Sequence, residues 1–340
     1  MTSEAMGDDH GVAVWSSEDW RAEATAWTDA RLAEDGIERT GAIEQPHLRP
    51  WSTVLEVPTS SGTVFFKATG PEVAFEPRLY ELLQRAVPER ILIPIAIDAT
   101  RGWVLLPDGG LPLGERLDGQ DLVRAMESVL PLYAQLQRDL APHADEMLAM
   151  GVADMRPPAM VTRFHEGLAA MRECIGHTDG TGDAAKYDGV AAMRETVVSW
   201  CEALASAPVA ASLDHNDLHA WNVLAGEGGD FATARFYDWG DAVVSHPFAS
   251  MLALGFVSGA DETDVQRMRD AYLEVFDDLG SREELIETLE LACRVGKIAR
   301  ALTWYRAISA MGFGDVDERW VTGPIESMAS LLDETYLGRA

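Results

Sequence analysis

The sequence has few of the residues that would place it in several common classes of protein. Only three of its 340 residues are cysteines, Cys174, Cys201 and Cys293. They lack the close spacing of metal-ligating cysteines, so we expect reduced thiols in a cytoplasmic protein. Lysine and arginine number 27 against 56 acidic residues, giving a net charge of −29. This balance argues against a nucleic-acid partner, since phosphate backbones bind basic surfaces.

Long apolar runs are also missing. No stretch approaches the ~20 apolar residues of a membrane-spanning helix, which predicts that the protein has no membrane partner. The first ten residues have neither the basic region nor the apolar region of a signal peptide. Residues 1–15 are therefore expected to be a disordered tail. The acidity has two interpretations that stay open here: attraction of a cationic ligand, or solubility of a surface on which acids are widely spread.

What the sequence does contain is enough apolar material for two domains. At 340 residues and 47% hydrophobic content, the chain can bury two cores. Short β-prone runs dominate its first part, and long helical periodicities dominate the rest. The pattern predicts an α+β protein with an N-lobe over 16–106, a hinge at 107–110 and a helical C-lobe over 111–340. The strands of the N-lobe are predicted at 41–45, 51–57, 63–68, 91–97 and 103–106. The helices of the C-lobe are predicted at 121–140, on both sides of a polar loop at 176–189, and at 247–257, 264–279, 283–311 and 325–336.

Two short motifs in the C-lobe carry chemistry. His215-Asn216-Asp217 is followed by Asn222, and Asp238-Trp239-Gly240 comes after a second short β-prone run. An aspartate can accept a hydrogen bond from an attacking hydroxyl, and asparagine and aspartate oxygens are ligands for Mg²⁺. Each residue also has a purely structural interpretation, since Asp217 can cap a turn, Asn222 can adopt a left-handed conformation and Asp238 can begin a β-turn.

Together these motifs make the chain resemble the aminoglycoside phosphotransferase family, and choline and ethanolamine kinases as well. The resemblance implies a bilobal protein-kinase-like fold, with an antiparallel sheet and a helix in the N-lobe. It implies an ATP-dependent kinase, with GTP not excluded, in which Asp217 is the catalytic residue. Asn222 and Asp238 would hold Mg²⁺. Asp241, close behind, could contact an acceptor amine or serve only as a turn carboxylate.

The same resemblance implies a nucleotide site. Lys67 would bind the α- and β-phosphates and Glu76 would hold Lys67, with Glu81 as the second choice. Asp108 and Gly109, in the hinge, would meet the adenine through backbone groups. His219 would donate a hydrogen bond near the γ-phosphate or only support the loop. His215 is expected to fix the loop by a hydrogen bond.

One segment departs from the kinase pattern. Between the first two predicted strands the chain reads Pro46-His47-Leu48-Arg49-Pro50, without the glycines that protein kinases carry there. Arg49, His47 or Ser52 would then contact the phosphates instead of glycine amides.

The acceptor is the least defined part of this prediction. We expect a hydroxylated small molecule that can be cationic, such as an aminoglycoside-like compound, with choline-type or sugar acceptors as alternatives. Arg300, Trp304 and Arg306 lie on one predicted helix and could line its pocket, although the spacing of Trp304 is typical of a core residue. A nucleotide-binding protein without turnover, or a hydrolase using Asp214 with Asp217, would be alternatives, and the chain is expected to be a monomer or homodimer.

Overall fold

The computed structural model describes residues 11–178, 183–226, 230–313 and 318–337. The chain divides into two compact units, with the division between Gly110 and Leu111. Among the described residues, no helix is both long enough and apolar enough to span a membrane.

The first unit is an antiparallel sheet with helices. Its strands are β1 (Glu44–Arg49), β2 (Ser52–Thr59), β3 (Gly62–Thr69), β4 (Ala96–Asp98) and β5 (Trp103–Pro107), in the order β1-β2-β3-β5-β4. Its α-helices are α1 (Val12–Trp15), α2 (Glu18–Glu34) and α3 (Glu76–Ala86). In register, Lys67 lies opposite Val54 on one neighbouring strand and Val104 on the other.

An aromatic cluster fixes which face of this sheet is buried. Alternate residues of a strand point to opposite faces, and Phe66 of β3 is fully buried against Trp20 and Trp27 of α2 and Trp103 of β5. The tryptophans of α2 are therefore core residues, as their helical spacing predicts. Because Lys67 follows Phe66 directly, its side chain lies on the other face of the sheet.

Three predictions for this unit were wrong. Only the end of the strand predicted at 91–97 forms, as β4, because a 3-10 turn (Pro88–Arg90) and an irregular segment precede it. Strand β1 runs through Arg49, so most of the glycine-free segment 46–50 is strand, and Pro50 and Trp51 alone make the turn to β2. Of the predicted disordered tail, residues 1–10 lie outside the described part of the chain, but residues 12–15 form α1. Trp15 is buried in the aromatic core, which supplies the apolar contact that orders this turn.

The second unit is mainly helical. Its α-helices are α4 (Leu113–Arg116), α5 (Gly119–Leu140), α6 (Ala144–Ala149), α7 (Pro157–Ile175), α8 (Asp183–Ala192), α9 (Arg194–Ser206), α10 (Glu262–Glu274), α11 (Arg282–Met311) and α12 (Glu318–Ala329). Much of the polar loop predicted at 176–189 is thus helix α8, which buries Val190. Helix α11 begins with a capping box, in which Ser281 and Glu284 each accept a hydrogen bond from the other's backbone N–H.

Five short strands interrupt these helices and carry the loops of interest. Strands β6 (Ala153–Met155), β10 (Val243–Ser245) and β7 (Ser212–Asp214) form one small sheet in the order β6-β10-β7. Strands β8 (Val223–Leu224) and β9 (Arg235–Phe236) form an antiparallel hairpin. Asp217 and Asn222 lie between β7 and β8, and Asp238 lies between β9 and β10. A 3-10 helix, Pro247–Phe256, follows β10.

Candidate active site

In the first unit, Lys67 and Glu76 form a buried ion pair. The Lys67 Nζ lies 2.7 Å from Glu76 Oε1, and the two side chains are 11% and 0% exposed. Glu76 is the first residue of α3, where the helix dipole favours a carboxylate. Burying either charge alone would be costly, so each side chain stabilises the other. The choice of Glu76 over Glu81 as the partner of Lys67 is confirmed.

The segment 107–110 is a turn that Asp108 stabilises itself. Its Oδ1 accepts a hydrogen bond from the Gly110 N–H at 2.8 Å, and Gly110 has φ +79°, a left-handed conformation that glycine adopts without strain. The Asp108 side chain is therefore engaged with its own backbone. Gly109 lies between the two and is half-buried, and its contact with a nucleotide base stays a prediction.

The residues suggested as substitutes for a glycine loop lie on β1 and β2, on either side of the turn. His47 Nε2 lies 3.2 Å from Ser52 Oγ across the turn, and Arg49 donates to the neighbouring Leu48 carbonyl at 3.0 Å. A contact of any of them with phosphate stays a prediction.

In the second unit, both carboxylate oxygens of Asp217 have partners. Arg300 Nη1 donates to Oδ1 at 3.1 Å, and Asn222 Nδ2 lies 3.3 Å from Oδ2. His219 Nε2 also lies 3.2 Å from Oδ2. The Asp217 side chain remains 31% exposed, so it is held by the protein and still reachable by a ligand.

These contacts shift the ionisation of both members of the Asp217–His219 pair. Burial alone would raise the pKa of Asp217, but its contact with His219 and the charge of Arg300 outweigh burial and bring the pKa below 3.8. Burial alone would lower the pKa of His219, but its contact with Asp217 and the charge of that carboxylate bring the pKa above 6.5. Asp217 is consequently ionised at neutral pH, and its carboxylate favours the protonated form of His219.

Asn222 is oriented so that its amide oxygen stays available. Its Nδ2 donates to the Asp217 carbonyl at 2.9 Å, and within the described part of the chain its Oδ1 accepts no hydrogen bond. Asp238, the second residue predicted to hold Mg²⁺, lies in the loop after β9. Oxygen donors of this type suit Mg²⁺, which shares its coordination sphere with water and phosphate. Over the residues described, no group of three or more His, Cys, Asp or Glu side chains is arranged to hold a metal by itself.

Two residues at this site have strained backbones. Among the described non-glycine residues, Asn216 (φ +58°) and Asp238 (φ +65°) have positive φ. Such conformations cost energy and collect at functional sites. Asn216 is held there because its N–H donates to Asp214 Oδ1 at 2.8 Å and its Nδ2 donates to Thr303 Oγ1 at 2.7 Å. The left-handed asparagine of this loop is thus Asn216 rather than Asn222.

His215 and Asp214 support the loop from the core. His215 Nε2 lies 2.9 Å from the Tyr237 carbonyl and donates to it, which joins the two loops. Asp214 is buried and accepts hydrogen bonds from Ser250 at 2.6 Å and Ser245 at 3.2 Å. Burial raises the pKa of Asp214 above its usual range despite these bonds. A buried carboxylate cannot activate water beside a ligand, which removes the basis for the hydrolase alternative.

Helix α11 brings two arginines to the loops. Besides Asp217, Arg300 donates to the Asn216 carbonyl at 2.6 Å, and Arg306 donates to Asp241 Oδ1 at 2.6 Å. The pKa of Asp241 is nevertheless raised, because burial and repulsion from Asp217 and Asp238 outweigh the attraction of Arg306.

Trp304 lies between these arginines on α11 and packs against another tryptophan. Its ring centroid is 5.2 Å from that of Trp320 on α12. This contact agrees with the interpretation of Trp304 as a packing residue.

A pocket of about 220 Å³ opens beside Asp217 within the second unit. The side chains that shape it are Asp217, His219, Trp221, Leu252, Phe256 and Arg300. Trp221 and Phe256 are 53% and 67% exposed. Phe256 could not be placed here from sequence, because it belongs to an apolar run that is typical of a core helix. Trp221 gave a weak signal, as a large aromatic residue between the polar motif residues.

Comparison with known proteins rests on structure alone. No protein-family model and no curated protein sequence matches the chain. Among solved structures, an ethanolamine kinase from Plasmodium vivax has a TM-score of 0.65 at 13% identity, covering 98% of this chain and 96% of its own. A type I macrolide 2'-phosphotransferase has a TM-score of 0.58 at 15% identity, covering 92% and 97%. A spectinomycin phosphotransferase in complex with ADP and spectinomycin has a TM-score of 0.51 at 12% identity, covering 92% and 96%. The chain therefore has the protein-kinase-like fold of these small-molecule phosphotransferases and kinases, as its sequence predicts.

Proposed function

We propose that the protein is an ATP-dependent, Mg²⁺-requiring kinase that transfers the γ-phosphoryl group to a hydroxyl of a small molecule. The proposal rests on the groups that surround Asp217. Its ionised carboxylate borders a pocket of about 220 Å³, while Asn222, hydrogen-bonded to the same residue, keeps its amide oxygen for a cation. Acceptor and nucleotide groups would thus meet at one carboxylate.

Asp217 would orient the acceptor hydroxyl and take its proton. A carboxylate oxygen can accept two hydrogen bonds, and in the described residues Oδ1 has Arg300 as its one hydrogen-bond donor. The acceptor hydroxyl can therefore donate to Oδ1. The lowered pKa of Asp217 makes it a weak base, which suits a loose transition state, in which positioning contributes more than proton abstraction.

Other residues would bind the nucleotide. Lys67, held by Glu76, would bind the α- and β-phosphates, and the backbone of Asp108 and Gly109 would meet the adenine or guanine base. His219, with its raised pKa, would donate toward the γ-phosphate. Asn222 and Asp238 would hold Mg²⁺, which when bound offsets the charge that develops on the phosphate oxygens. The cytoplasm, which supplies ATP and Mg²⁺, is the compartment we propose.

A screen of hydroxylated compounds tests this function. The protein would be incubated with ATP, Mg²⁺ and each of a panel of amino sugars, neutral sugars, choline-type alcohols and aromatic alcohols, and ADP formation would be followed. We expect at least one compound to stimulate ADP release and to gain the mass of one phosphoryl group, and EDTA to abolish both effects. ADP release that no acceptor stimulates, with no phosphorylated product in the panel, would contradict the proposal.

A further inference from the structure

We propose that the acceptor presents an uncharged, partly apolar face to Asp217, with an oxygen rather than an amine beside the reacting hydroxyl. Sugar hydroxyls and vicinal diols on an apolar scaffold belong to this class. The proposal rests on the proposed function, because it specifies the acceptor of the same site. It is carried by three features of the pocket: its charges, its walls and the free donors of Arg300.

The charges beside Asp217 disfavour an ammonium group. Among the described residues that line the pocket, Asp217 has the one carboxylate, and both of its oxygens already have partners. Arg300 is positively charged and 24% exposed. Asp241 is engaged by Arg306 at 2.6 Å. An amine next to the reacting hydroxyl would meet the guanidinium of Arg300. Among the described residues that line the pocket, it would find no unpaired carboxylate, and juxtaposition of like charges is costly.

The walls of the pocket favour an apolar surface. Trp221 and Phe256 expose 53% and 67% of their surface, and Leu252 adds an aliphatic side chain. The Trp221 ring is seated on Gly114, where an added Cβ would come within 2.7 Å of Trp221 Cδ1. The glycine thus lets the indole pack against the backbone. Covering exposed aromatic surface with an apolar ligand removes it from water, which contributes favourable free energy to binding.

Aromatic rings can also bind cations, so a quaternary ammonium has to be considered. Here the Phe256 ring already has a cation, because the Arg300 guanidinium lies 5.6 Å from its centroid. A second cation at this ring would be repelled by the first. The aromatic pair therefore does not form a cation cage.

Arg300 also has N–H groups that can donate hydrogen bonds to a ligand. A guanidinium has five N–H donors, and the hydrogen bonds of Arg300 to the Asn216 carbonyl and to Asp217 both use Nη1. Within the described chain, Nη2 and Nε donate to no protein group. These donors lie next to the oxygen at which the acceptor hydroxyl would bind. They would recognise a hydroxyl, ether or carbonyl oxygen beside the reacting one.

The overall charge of −29 would favour a cationic acceptor, but only at long range. An acidic protein attracts cations from solution, but charges are screened over about 8 Å at physiological salt. The groups within the pocket therefore decide which compound is bound.

The matched compounds 1-phenyl-1,2-ethanediol and 2-amino-2-phenylethanol test the proposal. They share a phenyl group and a primary hydroxyl, and differ in having a hydroxyl or an amine beside it. Their Kd values would be measured by calorimetry with Mg²⁺ and a non-hydrolysable ATP analogue, at a pH of about 6.5, where the amine is protonated. We expect the Kd of the diol to be lower than that of the amino alcohol by a factor of about ten or more. A second pair, 3,3-dimethyl-1-butanol and choline, should show the same preference for the neutral member.

Two variants link the preference to Arg300. Arg300→Met removes the charge and the donors but keeps a long side chain, so the ratio of the two Kd values should fall close to one. Arg282→Met removes an exposed arginine from the first turn of the same helix, away from the pocket, and should leave the ratio unchanged. Retained binding of the Mg²⁺-nucleotide analogue shows that each variant is folded.

Tighter or equal binding of the cationic members would overturn the proposal, as would failure of all four compounds to bind. An unchanged ratio in Arg300→Met would overturn the role of Arg300. The proposed function fails by a different result. If the diol binds preferentially but no compound in the acceptor screen is phosphorylated, the pocket has the proposed selectivity and the protein is not a kinase.

Discussion

Replacing Asn216 by alanine tests whether the loop before Asp217 is held under strain by helix α11. The substitution removes the hydrogen bond to Thr303 at 2.7 Å and the longer one to the Asp241 carbonyl at 3.3 Å. Each such bond contributes roughly 0.5–1.5 kcal/mol. Alanine at φ +58° adds a backbone cost of about 1–2 kcal/mol. We therefore expect Asn216→Ala to lower the free energy of unfolding by roughly 2–5 kcal/mol.

The matched control is Asn216→Gly, which loses the same side-chain contacts but adopts the left-handed conformation without strain. It should be more stable than the alanine variant by about 1 kcal/mol. Urea-induced unfolding followed by tryptophan fluorescence, together with the rate of phosphoryl transfer, provides the comparison. An alanine variant as stable as the unmodified protein, or more stable than the glycine variant, would refute the account of this loop.

Three further predictions concern the proposed nucleotide and acceptor groups. Asp238→Ala should abolish the Mg²⁺ dependence of ATP binding measured by calorimetry, whereas equal Mg²⁺ dependence would exclude Asp238 as a metal ligand. Glu76→Gln should destabilise the protein by roughly 3 kcal/mol and raise the KM for ATP, because buried Lys67 loses a carboxylate partner; an unchanged KM and melting temperature would contradict this. NMR titration should place the pKa of His219 above 6.5 and lower it in Asp217→Asn. The stability that His219 contributes is lost as pH rises from 6.5 through its raised folded pKa. The stability that Asp217 contributes is lost as pH falls from 3.8 through its lowered folded pKa. A His219 pKa that does not respond to Asp217→Asn would show that the two do not interact.

The fold was largely predictable from local sequence patterns. The apolar alternation of β3 and the helical spacing of Trp20 on α2 gave those elements correctly, because local periodicity records which face is buried. The boundary of β1 was not predictable. Pro46 and Pro50 look like loop residues, yet Pro46 lies within β1, at the irregular part of its pairing with β2.

The motif residues were also found from sequence, but their surroundings were not. The pairing of Lys67 with Glu76 follows from the cost of a buried charge. By contrast, Thr303 is more than 80 residues from Asn216 in sequence, and only tertiary packing of α11 brings it to the loop. Arg300 was named as a possible pocket residue, but its hydrogen bond to Asp217 was not predicted. The same holds for Phe256, since nothing local distinguishes a core phenylalanine from one that borders a pocket. Long-range contacts therefore determine the pocket beside Asp217.

The most direct test of the central claim compares Asp217→Asn with the unmodified protein in phosphoryl transfer and in ATP affinity. Transfer to the best acceptor of the screen would be measured by mass spectrometry, and the Kd for Mg²⁺-ATP by calorimetry. If Asp217 positions the hydroxyl and takes its proton, transfer should fall by about 10²–10⁴-fold while the Kd for ATP stays within a few-fold. Transfer at the rate of the unmodified protein would contradict the assignment of Asp217 and, with it, the proposed active site.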